Sequence, residues 1–435
     1  MKIALVSPKS VFMGKNKKLA EFWNQSDYTE TYREEWSGIS VALCILAALT
    51  PREHKVKIID ENVEVINFSE RYDLVGITCM TQQATRAYQI ADEWRKQSVA
   101  VIIGGIHATV SPEETKTHAD SVVIGEAENL WKEILFDAYN KGLKPYYKSA
   151  QLVDLSKLPI PRYELLKNKN YEYHWIQTTR GCPFNCIFCA ASKVYGNKYR
   201  VKAIEHVIAE IECLIDLYPD SRIIFSDDNM FVNRRYAKEL LQRIVPYKIR
   251  YRAQSDISIA EDDELLTLIR KSGCTFLFVG IESLSETNLE GIDRNNKKKK
   301  YLLQLPEHIK KIQSYGIGVM GGFITGFDED DVTVFDKITE FVFENILYNT
   351  QISILTPFPG TEIRKKLLSE NRILDTDWEN YTVFDVNITH PRITKDQFEE
   401  GITNAYKKLN SKDFYLKKMM HFKNIYTQLA NEQKV

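Results

Sequence analysis

Two successive series of short, continuous apolar segments, each followed by a stretch with helical spacing, restrict this 435-residue chain to parallel-sheet architectures. In the first series, strands are expected at Lys2–Ser7, Lys55–Asp60, Leu74–Thr78, Val99–Ile103 and Ser121–Ile124. Helices fit between them at Ser40–Leu49, Gln83–Gln97 and Glu128–Tyr139. Strands that are apolar on both faces must be covered on both faces, which gives a doubly wound α/β sheet. In the second series, strands are expected at His174–Thr178, Arg222–Ser226, Arg250–Gln254, Thr275–Val279, Val319–Ile324 and Gln351–Leu355. Val207, Ile208, Ile211, Leu214 and Ile215 form one apolar helical stripe among them. Six βα units close three-quarters of an eight-unit barrel. The expected organisation is therefore a doubly wound domain over 1–140, a polar proline-containing linker over 141–170, a partial (β/α)6 barrel over 171–366 and a helical C-terminal extension over 367–435.

Charge excludes some functions. With 58 basic and 59 acidic residues the net charge is −1, without the basic excess of a nucleic-acid-binding surface. Met1–Ser7 is too short an apolar segment for a signal peptide. The longest apolar run, Ile39–Leu49, is too short to span a bilayer, so no transmembrane segment is expected. Seven cysteines without an export signal fit a reducing cytoplasm with thiols free for metal. The basic run Asn295–Lys300 reads as a solvated surface loop, and Lys395–Gln433 as a basic helical tail packed over the barrel rather than on a membrane. The aromatic N-terminal stretch holding Phe22, Trp23, Tyr28, Tyr32 and Trp36 either covers a bound molecule or packs as a surface loop.

The chemistry sits in Thr179-Arg180-Gly181-Cys182-Pro183-Phe184-Asn185-Cys186-Ile187-Phe188-Cys189. Three thiolates this close hold three irons of a four-iron four-sulfur cluster and leave the fourth open to a small molecule. Structural zinc wants four ligands, and no fourth Cys or His follows within ten residues. The Gly, Pro and Asn flanks mark a loop rather than a core segment. Following the first barrel strand, that loop lies on the C-terminal rim, where barrels keep their chemistry. Cys44, Cys79, Cys213 and Cys274 read as core residues. Asp227-Asp228-Asn229 ends the second strand at the same rim; the paired carboxylates bind substrate, bias a proton or cap a helix. Tyr199-Arg200 and Gln254 are similar rim candidates, so the catalytic candidates are Asp227, Asp228 and Gln254.

Cys-x3-Cys-x2-Cys after the first strand resembles the radical S-adenosylmethionine superfamily, as do Phe188, Gly280-Ile281-Glu282-Ser283, Gly322-Phe323-Ile324-Thr325-Gly326 and Pro357-Phe358-Pro359-Gly360-Thr361. The resemblance covers roughly 170–370. It implies that the open iron is chelated by S-adenosylmethionine, whose reductive cleavage gives a 5′-deoxyadenosyl radical. It further implies a flavodoxin- or ferredoxin-type reductant. Phe188 is expected near the adenine, Glu282 at the ribose or methionine part, and Gly322, Ile324 and Gly326 along the adenine.

The first domain resembles the flavodoxin/Rossmann-like cobalamin-binding domain that precedes the barrel in one class of these enzymes. Asp73–Thr78, Gly104–Thr109 and Gly125–Glu128 carry the resemblance, and Ser40–Asp60 fits the usual helix-then-strand segment. It implies cobalamin contacts from Thr78, Gly104, Gly105, Thr109, Gly125 and Glu126. GxGxxG and the P-loop are both absent. Domains that ligate cobalt through His carry Asp-x-His-x-x-Gly, whereas this chain reads Asp60-Glu61-Asn62-Val63-Glu64-Val65. His107 is a remote alternative, expected at the corrin periphery or in solvent. The implied activity is methylation of an unactivated carbon of a small-molecule, lipid or peptide substrate through methylcobalamin and a substrate radical. Cyclisation, ring contraction or carbon–carbon bond formation with the same cofactors is the alternative, followed by a cobalamin-binding regulator. Methylthiolation of RNA or a ribosomal protein is disfavoured, because the first domain has only Cys44 and Cys79.

Overall fold

The structure, a computed structural model, describes residues 1–11, 15–26, 38–167, 169, 171–374 and 376–432. Tyr28, Tyr32 and Trp36 of the aromatic stretch lie outside the described residues. The first sheet holds β1 (Lys2–Ser7), β2 (Lys55–Asp60), β3 (Leu74–Thr78), β4 (Ala100–Gly104), β5 (Ser121–Ile124) and β6 (Tyr146–Lys148). The order β2-β1-β3-β4-β5-β6 is parallel throughout, with Ile3 of β1 set between Val56 and Leu74. Strand order reverses at β1, and the crevice beyond the strand ends there is where doubly wound sheets bind ligands. Both faces are covered, as the continuous apolar strands require. Ile3 and Leu5 enter one core, while Ala4 and Val6 enter another around Trp94. The stretch 141–170, expected as a linker, instead contributes β6 as an edge strand and buries Leu155, Leu158, Tyr163 and Leu166.

The second sheet is built on β7 (Tyr173–Ile176). A short antiparallel pair, β8 (Thr179–Arg180) and β9 (Arg200–Val201), follows it. Then come β10 (Arg222–Phe225), β11 (Tyr251–Ser255), β12 (Cys274–Glu282), β13 (Gly318–Thr325) and β14 (Asn349–Ile354). The six long strands are parallel in the order β14-β13-β12-β11-β10-β7. The helix Ile204–Leu217 buries Val207, Ile208, Ile211 and Leu214, the predicted stripe. Cys44, Cys79 and Cys274 are buried, while Cys213 is half-buried on that helix.

The C-terminal region joins both sheets. Thr394 and Gln397 form a capping box for the helix Lys395–Leu409. That helix buries Phe398, Ile402 and Tyr406. Tyr406 packs edge-on to Trp23 at 4.6 Å, and its hydroxyl accepts from the Ile352 amide at 2.8 Å. The helix Lys412–Glu432 continues over the barrel, with Phe422 against Tyr348 at 5.2 Å. Among the described residues no helix is long and apolar enough to cross a membrane.

His107 corrects an expectation. It is fully buried rather than in solvent, and it does not line the cavity at the strand ends. Its Nε2 is 3.0 Å from the Tyr88 hydroxyl, and Trp378 lies edge-on to it at 5.0 Å. Burial, followed by the charge of Arg364, pushes its pKa down to about 4. A ring held neutral when folded stabilises fully above the unfolded value near 6.5, and that stability is lost as pH falls from 6.5 to 4. The loss is expected to reach about 3 kcal/mol. Thermal melts from pH 7 to 4 should therefore fall less steeply for His107→Gln than for the wild type.

Candidate active site between the two sheets

The cysteine loop leaves β8 through Gly181. Its φ is +86°, and a Cβ there would collide with the Lys198 carbonyl oxygen. Only glycine suits that position. Asp227 sets the turn into the loop. Its fully buried Oδ1 accepts the Thr178 amide at 2.9 Å, the Thr178 hydroxyl at 3.1 Å and the Thr179 amide. Asp227 thus shapes the loop through Oδ1, while its buried Oδ2 has no hydrogen-bond partner among the described residues. The far side is pinned by three backbone bonds, Arg294 N–H to Phe184 O, Ile187 N–H to Ile292 O and Ile363 N–H to Ile187 O.

Burial pushes the thiols up, Cys182 to about 11 and Cys186 to about 12, with Cys189 raised as well. The Phe184 backbone N–H is directed at Cys182, and those of Ala191 and Ser192 at Cys189. Such donors stabilise thiolates once a metal displaces the protons. Among the described residues no His, Cys, Asp or Glu group converges on a single ion. Thiolates on a four-iron cluster bind separate irons and need no such convergence.

Deeper in the barrel, β12 bulges between Gly280 and Glu282, and Glu282 takes φ +68°. Lys298 Nζ lies 2.9 Å from Glu282 Oε1 and 2.8 Å from the Gly280 carbonyl oxygen. Burial lowers the Lys298 pKa, but the charges of Glu282 and Cys186 overcome it and hold the ammonium well above its ordinary value. The expectation of a solvated lysine loop fails here. Lys297–Tyr301 is a helical turn, and Lys298 points inward at the cysteine loop. Lys297 lies 4.3 Å from the Phe184 ring centroid. Phe188 and Ile324 meet in one apolar cluster with Phe327 and Leu355. At Gly322 a Cβ would come within 2.5 Å of the Phe278 ring, and Gly326 has φ +103°. Gln254 of β11 is exposed and does not line the cavity between the sheets.

That cavity, about 320 Å³, joins the ends of β1, β3 and β4 to the barrel rim. Thr78, Gly104, Gly105 and Gly125 line one wall, while Trp175, Gln177, Tyr195 and Asp228 line the other. Gly105 (φ +96°) packs so close to Thr78 and Cys79 that a side chain would clash. Gly125 has no atom within 4 Å of where its Cβ would stand, so a ligand can approach its backbone. Leu5, Leu43, Leu46, Ile102 and Trp131 give the cavity an apolar recess, and the Trp131 indole N–H donates to Thr50 Oγ1 at 2.8 Å. Two of the expected cobalamin contacts, Thr109 and the cavity-lining Glu126, have side chains with protein partners. Thr109 Oγ1 donates to Gly105 O at 2.8 Å and accepts from Gly125 N–H at 2.9 Å, tying the two glycine loops together. The Glu126 carboxylate is taken by Arg180 and Arg200. Asn62 also lines the cavity, its Nδ2 bonded to Asp60 Oδ1 at 2.7 Å and its Oδ1 to the Ser10 amide at 3.0 Å. Burial raises Asp228 to about 6 against the lowering charge of Arg180. Its carboxylate has no hydrogen-bond partner among the described residues.

Residues 29–135 match the B12 binding domain, and 176–342 match the Radical SAM superfamily. The bacteriochlorophyllide d C-8(2)-methyltransferase of Chlorobaculum tepidum is 32% identical over 388 residues, covering 85% of this chain and 84% of that protein. This chain belongs to the cobalamin-dependent radical S-adenosylmethionine enzymes. The C-12(1)-methyltransferase of the same organism is 27% identical, covering 87% of this chain and 84% of the relative. The methyltransferase TsrM from Kitasatospora setae, solved with cobalamin and a [4Fe-4S] cluster bound, shares the fold with a TM-score of 0.71. It is 16% identical, covering 94% of this chain and 90% of TsrM. The enzyme's cofactors are one four-iron cluster, S-adenosylmethionine and cobalamin. Its residues fit them, with three half-buried thiols under backbone donors and an open glycine cradle above an apolar recess.

Sequence reasoning missed Lys298 and Arg180 in this site, and named Arg200 only as a rim candidate beside Tyr199. Four consecutive lysines carry no periodicity that marks one as buried. Arg180 stands inside the cysteine motif and gave the only signal that could have been followed.

Proposed function

We propose that this enzyme methylates an unactivated carbon of a substrate that presents an apolar body and one hydrogen-bond donor. The observation that carries the proposal is the shared chamber: one continuous cavity is lined by the glycine cradle of the first sheet and by Asp228 and Tyr195 beside the cysteine loop. The two bacteriochlorophyllide relatives described above, which match over most of this chain, are methyltransferases by name, while two more distant relatives are cyclases by name. When bound, the cluster supplies the electron that cleaves the sulfonium, and cobalamin supplies a cobalt centre that accepts and donates methyl groups.

In this proposal Cys182, Cys186 and Cys189 hold the cluster. Glu282, fixed by Lys298, binds the polar end of S-adenosylmethionine. Phe188, Ile324 and Gly322 accommodate its adenine, with Gly326 turning the chain beyond them. Thr78, Gly104, Gly105 and Gly125 would hold the cobalamin. Asp228 accepts a hydrogen bond from the substrate, whose apolar part lies against Trp175 and Tyr195. A flavodoxin- or ferredoxin-type protein delivers the electron.

Anaerobic reconstitution with iron, sulfide, cobalamin, methyl-labelled S-adenosylmethionine and a strong reductant tests the proposal. S-adenosylhomocysteine together with label in the corrinoid fraction supports methyl transfer. 5′-Deoxyadenosine alone redirects the reading to cyclisation or rearrangement. Asn62 stands where His-ligating domains carry their ligand, and its amide bonds Asp60 and the Ser10 backbone. Wild-type cob(II)alamin is expected to lack nitrogen hyperfine splitting, and Asn62→His, set beside Asp60, to gain it. Splitting already present in the wild type would refute the reading of this segment.

A further inference from the structure

Arg180 lies two residues before Cys182, and Glu126 and Glu128 follow directly on Gly125 of the opposite wall. Arg180 Nη1 meets Glu126 Oε1 at 2.8 Å, and Nη2 meets Glu128 Oε1 at 2.6 Å. Its Nε donates to Gln177 Oε1 at 2.6 Å, and its guanidinium lies 5.9 Å from the Tyr195 ring centroid. Arg200 closes the arrangement from β9. Its Nη1 contacts Glu126 Oε2 at 2.9 Å and the Val153 carbonyl at 2.8 Å, while Nη2 donates to the Tyr195 carbonyl at 3.1 Å. Glu126 Oε2 also accepts the Val153 amide at 2.9 Å. All four side chains are 3–10% exposed. Two cations face two anions, so the group is neutral as a unit.

A buried ion-pair group of this kind adds little stability over an apolar contact of equal volume, because desolvation offsets the attraction. What it adds is geometry. A planar guanidinium held at both ends fixes distance and angle, where an apolar contact can slide. Here the fixed distance runs between the strand end that carries the cysteine loop and the loop that carries the glycine cradle. The cavity between these two walls is where the proposed function has both cofactors act.

We propose that Arg180 and Arg200, with Glu126 and Glu128, form a clamp that sets the separation of the cysteine loop from the cobalamin cradle, and that Arg180 is a positioning residue for methyl transfer. The functional part rests on the methyltransferase reading above; the mechanical part does not. Formation of 5′-deoxyadenosine needs only the barrel's own cofactors, whereas S-adenosylhomocysteine formation also needs the corrin at the right distance. A positioning defect therefore changes the ratio of the two products, while general unfolding lowers both.

The test uses the full chain and Arg180→Lys, which keeps the charge but cannot reach both carboxylates. In the cofactor-free protein, amide hydrogen exchange is expected to rise by about tenfold in peptides covering 124–130 and 176–183 together. In the reconstituted protein, iron and cobalamin per chain should match the wild type, and the ratio of S-adenosylhomocysteine to 5′-deoxyadenosine should fall by about ten- to a hundredfold. Should Arg180→Lys fail to fold, Glu128→Gln, isosteric and still a hydrogen-bond acceptor, is read instead, with an expected fall of about threefold or more. A folded, loaded variant whose ratio stays within about twofold of wild type overturns the positioning role. Exchange that rises only in 176–183 overturns the clamp. A wild type that makes neither product counts against the methyltransferase reading alone, since the exchange measurement judges the clamp independently.

Discussion

Serine in place of Cys186 will leave the chain folded and without its cluster. After anaerobic reconstitution, Cys186→Ser is expected to hold background iron and to form no 5′-deoxyadenosine, while Cys213→Ser takes up about four irons per chain like the wild type. The contrast follows from placement. Cys186 sits in a loop whose backbone is pinned by Arg294, Ile292 and Ile363, so the fold survives loss of the sulfur. A serine hydroxyl, with its far higher pKa, does not replace a thiolate on iron. Cys213 is half-buried on the outer helix Ile204–Leu217, away from the rim. Equal iron in the two variants would overturn the ligand assignment.

Lys298→Met will be the most damaging single change outside the cysteines. It removes the cation between Glu282 and the Gly280 carbonyl and leaves a carboxylate, 12% exposed and on a left-handed backbone, without its counter-ion. Breaking a buried pair on one side costs about 3–5 kcal/mol. The cofactor-free variant should unfold at lower temperature than the wild type. Affinity of the reconstituted variant for S-adenosylmethionine should fall by about ten- to a hundredfold. Adding Glu282→Gln should restore most of the lost stability and none of the affinity, which separates the structural share of the pair from its binding share. Melting and affinity both at wild-type values would remove Lys298 from the site.

The two predicted sheets were legible because most strands are short, continuous apolar segments, and β1, β2, β3, β5 and β10 fall within a residue of expectation. The cysteine loop was legible because three thiols at that spacing leave few alternatives. Other readings failed for one physical reason, that burial and partners depend on residues distant in sequence. Asp227 reads as a rim carboxylate until the Thr178 and Thr179 amides, 49 and 48 positions away, close on it. Lys298 reads as solvated until β12 bulges towards it. The ion pairs of Glu126 are hidden until Arg180 arrives from the short β8-β9 pair, 54 positions away. Residues 141–170 read as a linker because their polar character hides a three-residue edge strand that needs one neighbour only.

The sequence by itself determined the fold class, the cofactor set and the family. These depend on periodicity and on short motifs whose members are neighbours along the chain, so local geometry suffices to bring them together. Only the tertiary structure decided how the two cofactor cradles face each other and which charged residues face inward. Those outcomes rest on contacts such as Arg180 with Glu126 and Lys298 with Glu282, and the strength of an ion pair is set by the burial that only the assembled sheets provide.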